Sequence, residues 1–444
     1  MKARRLIFAL ALVAASAIAG PPQASKPAWH PIDLATALRL AGANNLDVRI
    51  ARERLAEAEA ANLVATEQFF PYLSPGLGYR RHEGNIQTVE GKIIDADKEQ
   101  YTAGATATAQ VDFGEALFRK LAARRAVDAA RHFADAQRQE SVLQAALGYF
   151  DLARAKAAVG VAAESVHIAE DYAAQIKQAV EVGLAFKGDT WRAATQVERN
   201  RLALDRAREQ RRLAAAHLAQ VLHLDPAVTL LPEGGDLAPI HLTPADRPLD
   251  ALIAEAIAAR PELKQYAAQL EAARKNRQGA IYGPLIPTVG GQAFYGGLGG
   301  GVGNPGPREF DQSSDYSAGL SWRIGPGGLF DAGRVRVNDA RVRTGTLELE
   351  RVREEVVRQV VDGHTRIHAL AAQIEDARRA MEAAEQSLRL ARERREFAVG
   401  AVLETIQAEQ DLTGARLDFL NAVAEQNKAQ YSLERARGAL GTGK

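Results

Sequence analysis

The sequence predicts a mainly α-helical chain made of two tandem copies of one unit, with a small β region ahead of the long helix in each copy. Three observations predict it. Apolar residues recur every seven positions along two long segments. Those segments superimpose when the chain is shifted by 215 residues. Short stretches of alternating polarity precede both segments at matching places. An internal repeat of this kind decides the fold before any single element does.

The chain opens on a processing signal. Lys2, Arg4 and Arg5 form a positive region, an apolar stretch runs over 6–18, and Ala17-Ile18-Ala19 supplies a small-x-small cleavage site. Residues 1–19 read as a signal peptide, with Gly20 as the new N-terminus. The stretch is too short for a retained spanning helix, and no later run of 18 or more apolar residues follows. The mature protein is expected to be exported, and it enters a membrane only if something other than a helix carries it. Charges nearly cancel, 56 Lys and Arg against 55 Asp and Glu, so no basic field invites nucleic acid. Cysteine is absent, which excludes disulfides, thiol catalysis, Cys-ligated metals and a lipid anchor on an N-terminal cysteine. Hydrophobic residues make up 47% but aromatics only 6%, with much alanine, a composition suited to long helices packed through small side chains.

The repeat follows residue by residue. Leu152, Val159, Val166, Ala173 and Val180 form one seven-spaced series, and Ala155, Ala162, Ala169 and Ile176 a second. Ile367, Ile374, Met381 and Leu388, with Leu370, Ala377, Ala384 and Ala391, repeat both 215 residues later. The same shift aligns Tyr101-Thr102-Ala103-Gly104 with Tyr316-Ser317-Ala318-Gly319, and Asp189-Thr190-Trp191 with Glu404-Thr405-Ile406. The first repeat is expected over 20–247 and the second over 248–444. In the first, a helix over 33–68 runs to a break at Pro71, a β-hairpin follows over about 71–113, then a long helix over 115–182 and a last helix over 189–223. A Pro-, Gly- and Asp-rich connector covers 224–247. In the second, a helix over 249–277 meets Pro284 and Pro287, a hairpin covers about 284–325, and helices follow over 333–399 and 403–440. A helix of about 65 residues is about 100 Å long, far beyond a globular one. Its 3.5-residue apolar period implies a left-handed supercoil. From the helices alone, a fibrous coiled coil remains open.

The strands discriminate. Over 101–113, Tyr101, Ala103, Ala105, Ala107, Ala109, Val111 and Phe113 alternate with Thr102, Gly104, Thr106, Thr108, Gln110 and Asp112. That is one apolar and one polar face over the length a bilayer requires. Tyr316, Ala318, Leu320, Trp322 and Ile324 repeat the pattern. Partner strands are expected over 73–80 and 288–295, joined by polar or Gly-rich loops over 81–100 and 296–315. Four strands cannot close a barrel, and lipid tolerates no unpaired strand edge. A membrane reading therefore makes several protomers share one barrel, and three would supply twelve strands and a twelve-column helical tube. A small soluble sheet on a rod is the alternative, because any half-buried sheet alternates.

Taken together, these features resemble the TolC-type outer membrane factor family over essentially the whole mature length. The resemblance rests on Asp33-Leu34-Ala35-Thr36-Ala37-Leu38 leading to Asn45-Leu46-Asp47-Val48, echoed from Leu249 to Arg260-Pro261-Glu262-Leu263. The turns from Val182-Gly183 to Asp189 and from Val399-Gly400 to Glu404 complete it. It implies a homotrimer with a twelve-stranded barrel in outer-membrane lipid and a long periplasmic α-barrel. It also implies a passive exit duct for efflux or type I secretion, partnered by a periplasmic adaptor (membrane fusion protein) and an inner-membrane pump of RND, ABC or similar type. The alternative is a soluble periplasmic coiled-coil structural or adaptor protein, though an adaptor should show compact β domains flanking a single helical hairpin.

Within that picture the two helix–turn–helix ends become periplasmic tips where adaptors dock. Gly183 and Gly400 permit the turns. Asp189 and Glu404 suit helix N-termini, and capping alone accounts for them equally well. Phe186, Val399, Val402 and Leu403 are the apolar groups expected to touch the adaptor. The family's closed gate uses charged side chains on the second long helix near the tips. By position Glu382, Glu385, Glu393 and Arg394 are candidates, although Glu–Arg pairs on an exposed helix face explain each singly.

No enzyme chemistry is expected, and no cofactor or metal. His364 and His368 stand four apart, but Thr365 rather than Glu follows His364, so the metalloprotease pattern fails and further ligands are missing. The run from Gly301 to Gly306 matches GxGxxG formally, but Pro305 interrupts it and no helix follows. Asp95 and Asp97 could hold a cation only weakly. No Walker A motif or nucleophile elbow occurs.

Overall fold

The computed structural model describes residues 29–225, 228–234, 237–244, 246–303, 309–396 and 402–440. The signal-peptide segment lies outside them. The first half runs β1 (Trp29–Ile32), α1 (Leu34–Asn44), α2 (Leu46–Glu67), β2 (Tyr72–His82), β3 (Asn85–Gln87), β4 (Ile93–Asp95), β5 (Lys98–Asp112), α3 (Phe113–Glu181), α4 (Lys187–Val221) and β6 (Thr229–Pro232). The second runs α5 (Leu249–Ala259), α6 (Pro261–Tyr282), β7 (Thr288–Val302), β8 (Asp311–Ser321), α7 (Ala332–Glu396) and α8 (Val402–Ala436). No described helix is long and apolar enough to cross a membrane.

The halves match at side-chain level. A Cβ on Gly148 would sit 3.3 Å from Leu218, and a Cβ on Gly363 would sit 3.2 Å from Leu433. These are the same close helix contact, 215 residues apart.

Each single helix expected ahead of the strands is in fact two. α1 breaks from α2 at Asn45, whose extended backbone lets its side chain accept from the Asp47 amide at 2.7 Å and donate to the Val221 carbonyl at 3.2 Å. α5 breaks from α6 at Arg260, which precedes Pro261 and is therefore driven out of the helical region. The connector also differs from expectation, because it contributes β6, paired in parallel with β1. Long-helix starts are set by side-chain caps. Asp112 accepts from the Glu115 amide at 2.9 Å, and Asp331 from the Arg334 amide at 2.9 Å.

Four antiparallel strands form one sheet in the order β2-β5-β7-β8. The two expected hairpins are thus welded by the β5–β7 pair, in register from Lys98↔Val302 to Asp112↔Thr288. Two further pairs, β1–β6 and β3–β4, are extra to the four strands anticipated. Register places Leu73, Ala107, Ala293 and Tyr316 in one row across the sheet. The row one residue on holds Tyr72, Thr108, Gln292 and Ser317 on the opposite face. Apolar and polar faces therefore persist across all four strands. Phe294 is an exception on the polar face, and its ring covers Gly104 and Gly296. Strand limits shift from those expected. Phe113 starts α3 rather than ending β5, and β8 ends at Ser321, leaving Trp322 and Ile324 outside it.

The helices form a curtain. α3 lies between α2 and α4 on one side and α6 and α8 on the other, and α7 packs beyond them. Ala155, Ala162, Ala169 and Ile176 are buried along α3, and Ile367, Ile374 and Leu388 along α7, so the seven-residue seam is the packed one. Around Leu152, Leu218, Leu222 and Phe150 the core thickens, each such side chain contributing about 1.5–3 kcal/mol.

Backbone meets backbone where α3 begins. A Cβ on Gly114 would lie 2.1 Å from the Gly283 carbonyl oxygen, beyond relief by any rotamer change. Gly114→Ala is expected to lower the midpoint of thermal unfolding, at a cost of about 1–3 kcal/mol. Gly160→Ala, in the middle of α3 with open space around the added methyl, should raise it by about 0.5–1 kcal/mol.

Candidate functional site

The first helix–turn–helix end is fully described. Gly183 takes φ +74°, and the Leu184 amide returns to the Ala179 carbonyl at 2.7 Å, closing α3 with a left-handed cap. Phe186 caps α4 through its backbone carbonyl, which accepts from the Asp189 amide at 2.9 Å. Its ring is 76% exposed and shields Gly188. Asp189 sits in the first turn of α4 beside Arg192 at 3.2 Å, where the helix end favours a negative charge. Val182, Leu184 and Trp191 are exposed beside Phe186, making a wider apolar tip than the sequence suggested. Trp191 aligns with Ile406, which is buried against Tyr172, Ile176 and Ala193. An aromatic in a polar first turn was the available signal for Trp191.

At the second end, Val399 and Gly400 lie outside the described residues. Val402 begins α8 and packs inward, and its carbonyl accepts from the Tyr172 hydroxyl at 3.3 Å. Leu403 is 60% exposed. Glu404 binds Arg394 at 2.7 Å, tying α8 to α7. Of the apolar groups expected to meet a partner here, Phe186 and Leu403 face solvent and Val402 does not.

The four charged groups considered for a gate do different things. Glu382 pairs with Arg378 at 3.2 Å and Glu393 with Arg389 at 3.8 Å, both four residues apart on α7. Exposed pairs of that kind contribute about 0.3–0.5 kcal/mol. Glu385 and Arg394 instead cross between helices. Arg416 on α8 holds Glu385 on α7 at 3.3 Å and Glu164 on α3 at 3.0 Å, so one guanidinium joins the two helical hairpins.

Around it runs a polar seam that sequence reasoning missed. The Ser165 and Thr413 hydroxyls lie 2.8 Å apart. The Asn200 amide donates to the Ser165 carbonyl at 2.9 Å, Gln196 donates to Asn200 at 2.8 Å, and Gln410 donates to Gln196 at 2.8 Å. These residues line a cavity of about 140 Å³. Glu409 reaches the same cavity, buried, with neither carboxylate oxygen hydrogen-bonded. Arg392 stands 3.5 Å away, close enough for an ion pair only. Burial pushes the Glu409 carboxyl above its ordinary value, opposed by Arg392 and Arg395. Arg395 also lies over the Tyr172 ring at 4.4 Å, joining α7 to α3. Tyr172 faces Glu409 from α3, and its hydroxyl is raised by burial too. Among the described residues no group of three or more metal-ligating side chains is gathered.

Residues 37–222 and 252–439 match the family model described as outer membrane efflux protein. The chain is similar to Protein CyaE of Bordetella pertussis, 29% identical over 326 residues, which are 72% of this chain and 66% of that protein. It is similar to the probable outer membrane lipoprotein SilC of Salmonella typhimurium, 24% identical over 417 residues, 89% of this chain and 83% of that one. The fold is that of the Campylobacter jejuni CmeC outer membrane channel, with a TM-score of 0.79 at 14% identity, covering 91% of this chain and 85% of that one.

The seam has a pH signature. A carboxyl raised above its unfolded value costs stability while ionised, and the cost is relieved as pH falls toward and through the folded value. Glu409→Gln is expected to raise the unfolding midpoint at about pH 8, with the difference shrinking toward about pH 5. Calorimetry at several pH values checks it, and a midpoint lowered throughout would mean that the Arg392 pair outweighs burial.

Proposed function

Because the chain belongs to the outer membrane efflux protein family, we propose that three copies close around one axis to form the outer-membrane exit duct of an export system. The observation that carries this reading is the pair of bare margins. β2 and β8 end the sheet on either side with apolar side chains such as Leu77, Tyr79, Tyr316 and Leu320 exposed. The helical curtain ends in the same way, with Leu202 and Leu213 exposed on α4 and Val337 and Leu347 on α7. Joining β8 of one copy to β2 of the next, and α7 to the neighbouring α2 and α4, covers both margins at once. Three copies give twelve strands, whose apolar face meets lipid and whose Thr-, Ser- and Gln-rich face lines the pore. A soluble periplasmic rod is not favoured, since it leaves that broad apolar face in water.

In this arrangement the turn at Gly183 and the start of α8 at Val402 point into the periplasm. The exposed rings and aliphatic groups of Leu184, Phe186, Trp191 and Leu403 suit the apolar edge of a periplasmic adaptor, with an inner-membrane pump supplying energy. The Arg416 and Glu409 seam between the hairpins is where the tube would loosen on opening. Passage itself needs no chemistry from the wall, so no residue acts as a catalyst.

The reading is tested by extracting the protein from outer membranes and measuring its mass and single-channel conductance in a planar bilayer. A trimer with stable conductance supports the duct; a water-soluble monomer overturns it. Face assignment is tested by Ala107→Arg, which is expected to cost about 2–4 kcal/mol near the bilayer midplane and to abolish insertion, whereas Thr108→Arg on the pore face should insert and alter ion selectivity. Phe186→Asp combined with Leu403→Asp should leave the trimer intact while abolishing site-specific crosslinking to the adaptor.

A further inference from the structure

His364 and His368 face one another on successive turns of α7, with their Nε2 atoms 3.2 Å apart and their ring centres 4.5 Å apart. Among the described residues this is the one contact between imidazole rings. The family reading makes no use of it, and the sequence alone led to no metal being expected there, for want of further ligands.

The separation is informative. Two imidazole nitrogens bound to one metal at about 2.05 Å lie about 2.9 Å apart at a right angle and about 3.3 Å apart at the tetrahedral angle. The observed 3.2 Å falls between those limits. A hydrogen bond at this distance requires one ring to donate its Nε2–H and the other to accept, so one proton lies between the nitrogens. A divalent cation can replace that proton without moving the helix. The backbone beneath is held by Gly363, which packs directly on Leu433 of α8. The positions one turn before and after the pair are Val360, Val361, Ala371 and Ala372, so none of them brings a cation to repel the metal. The nearest acid along the helix, Asp362, is occupied by Arg358.

We propose that His364 and His368 form a two-nitrogen binding site for a borderline divalent transition metal, taking Cu²⁺ ahead of Ni²⁺ or Zn²⁺. The order follows from the general rise in affinity toward copper for nitrogen ligands. The remaining coordination positions are open to water, so the site binds reversibly, and it releases metal on acidification because protons compete for the same lone pairs.

The test uses the untagged full-length protein, purified in detergent and titrated with CuCl₂ by calorimetry, with electron paramagnetic resonance of the bound ion. One Cu²⁺ per chain with two nitrogen couplings is expected. His364→Ala and His368→Ala should each weaken binding by roughly ten-fold or more, while His217→Ala leaves it unchanged. Both substitutions lie outside the buried seam, so an unchanged unfolding midpoint certifies the fold of each variant. No binding by the parent chain, a spectrum with one nitrogen, or undiminished affinity in the double variant overturns the proposal. Binding is read on purified protein, so its failure leaves the exit-duct reading untouched, and failure of that reading leaves this result standing.

Discussion

A peptide N–H or C=O left without a partner in hydrocarbon costs several kcal/mol, and this chain presents a whole strand edge of such groups on each side of its sheet. β2 and β8 have partners on one side only, and the apolar face between them spans all four strands. That incompleteness governs the rest. In the proposed trimer a sheet continued by its neighbour goes with a helical wall that can be continued, and α2, α4 and α7 leave aliphatic side chains exposed along the two margins. Sheet and wall therefore impose the same requirement, one through backbone hydrogen bonds and the other through apolar area.

The wall is kept thin by small residues. Alanine along α3 and the contacts of Gly148 with Leu218 and Gly363 with Leu433 let long helices run side by side without a bulky core between them. The thickest packing lies where α1, β1 and β6 cover α3 and α4, and where α5 covers α7 and α8. There the breaks at Asn45 and Arg260 let the chain step sideways, and buried polar groups hold the step. Asn427 and Gln430 on α8 bind the backbone near Ile240 and Thr243 in the connector, and Arg260 donates to the Arg435 carbonyl at 3.0 Å. Burial lowers the Arg260 guanidinium to about 10, the cost of keeping a cation inside a helical junction.

Toward the turns the character of the packing changes. Apolar contact gives way to hydroxyl, amide and charged side chains between the hairpins, and one of them, Glu409, is buried without a hydrogen bond. Polar seams of this type are strong only while every partner is in place. A seam with a carboxylate that lacks a hydrogen bond beside a cavity is less tightly committed than the alanine contacts along α3, which suits the opening proposed for it.

Much of the fold was legible in the residues. The repeat, the long helices with their seven-residue packed seam and the alternation of the strands all arise from local periodicity, and periodicity is written along the chain. The faces of β5 were readable from Tyr101 to Val111 for the same reason. What the tertiary structure alone decided depends on contacts distant in sequence. It welded β5 to β7, drew β6 out of a Pro- and Gly-rich connector to pair with β1, and turned Ile406 inward while leaving Trp191 in solvent at the matching place. It also gathered Ser165, Gln196, Glu409 and Arg416 from three helices into one seam. No spacing rule encodes such meetings, because helices far apart in the chain meet according to how their surfaces pack, and packing is a property of pairs.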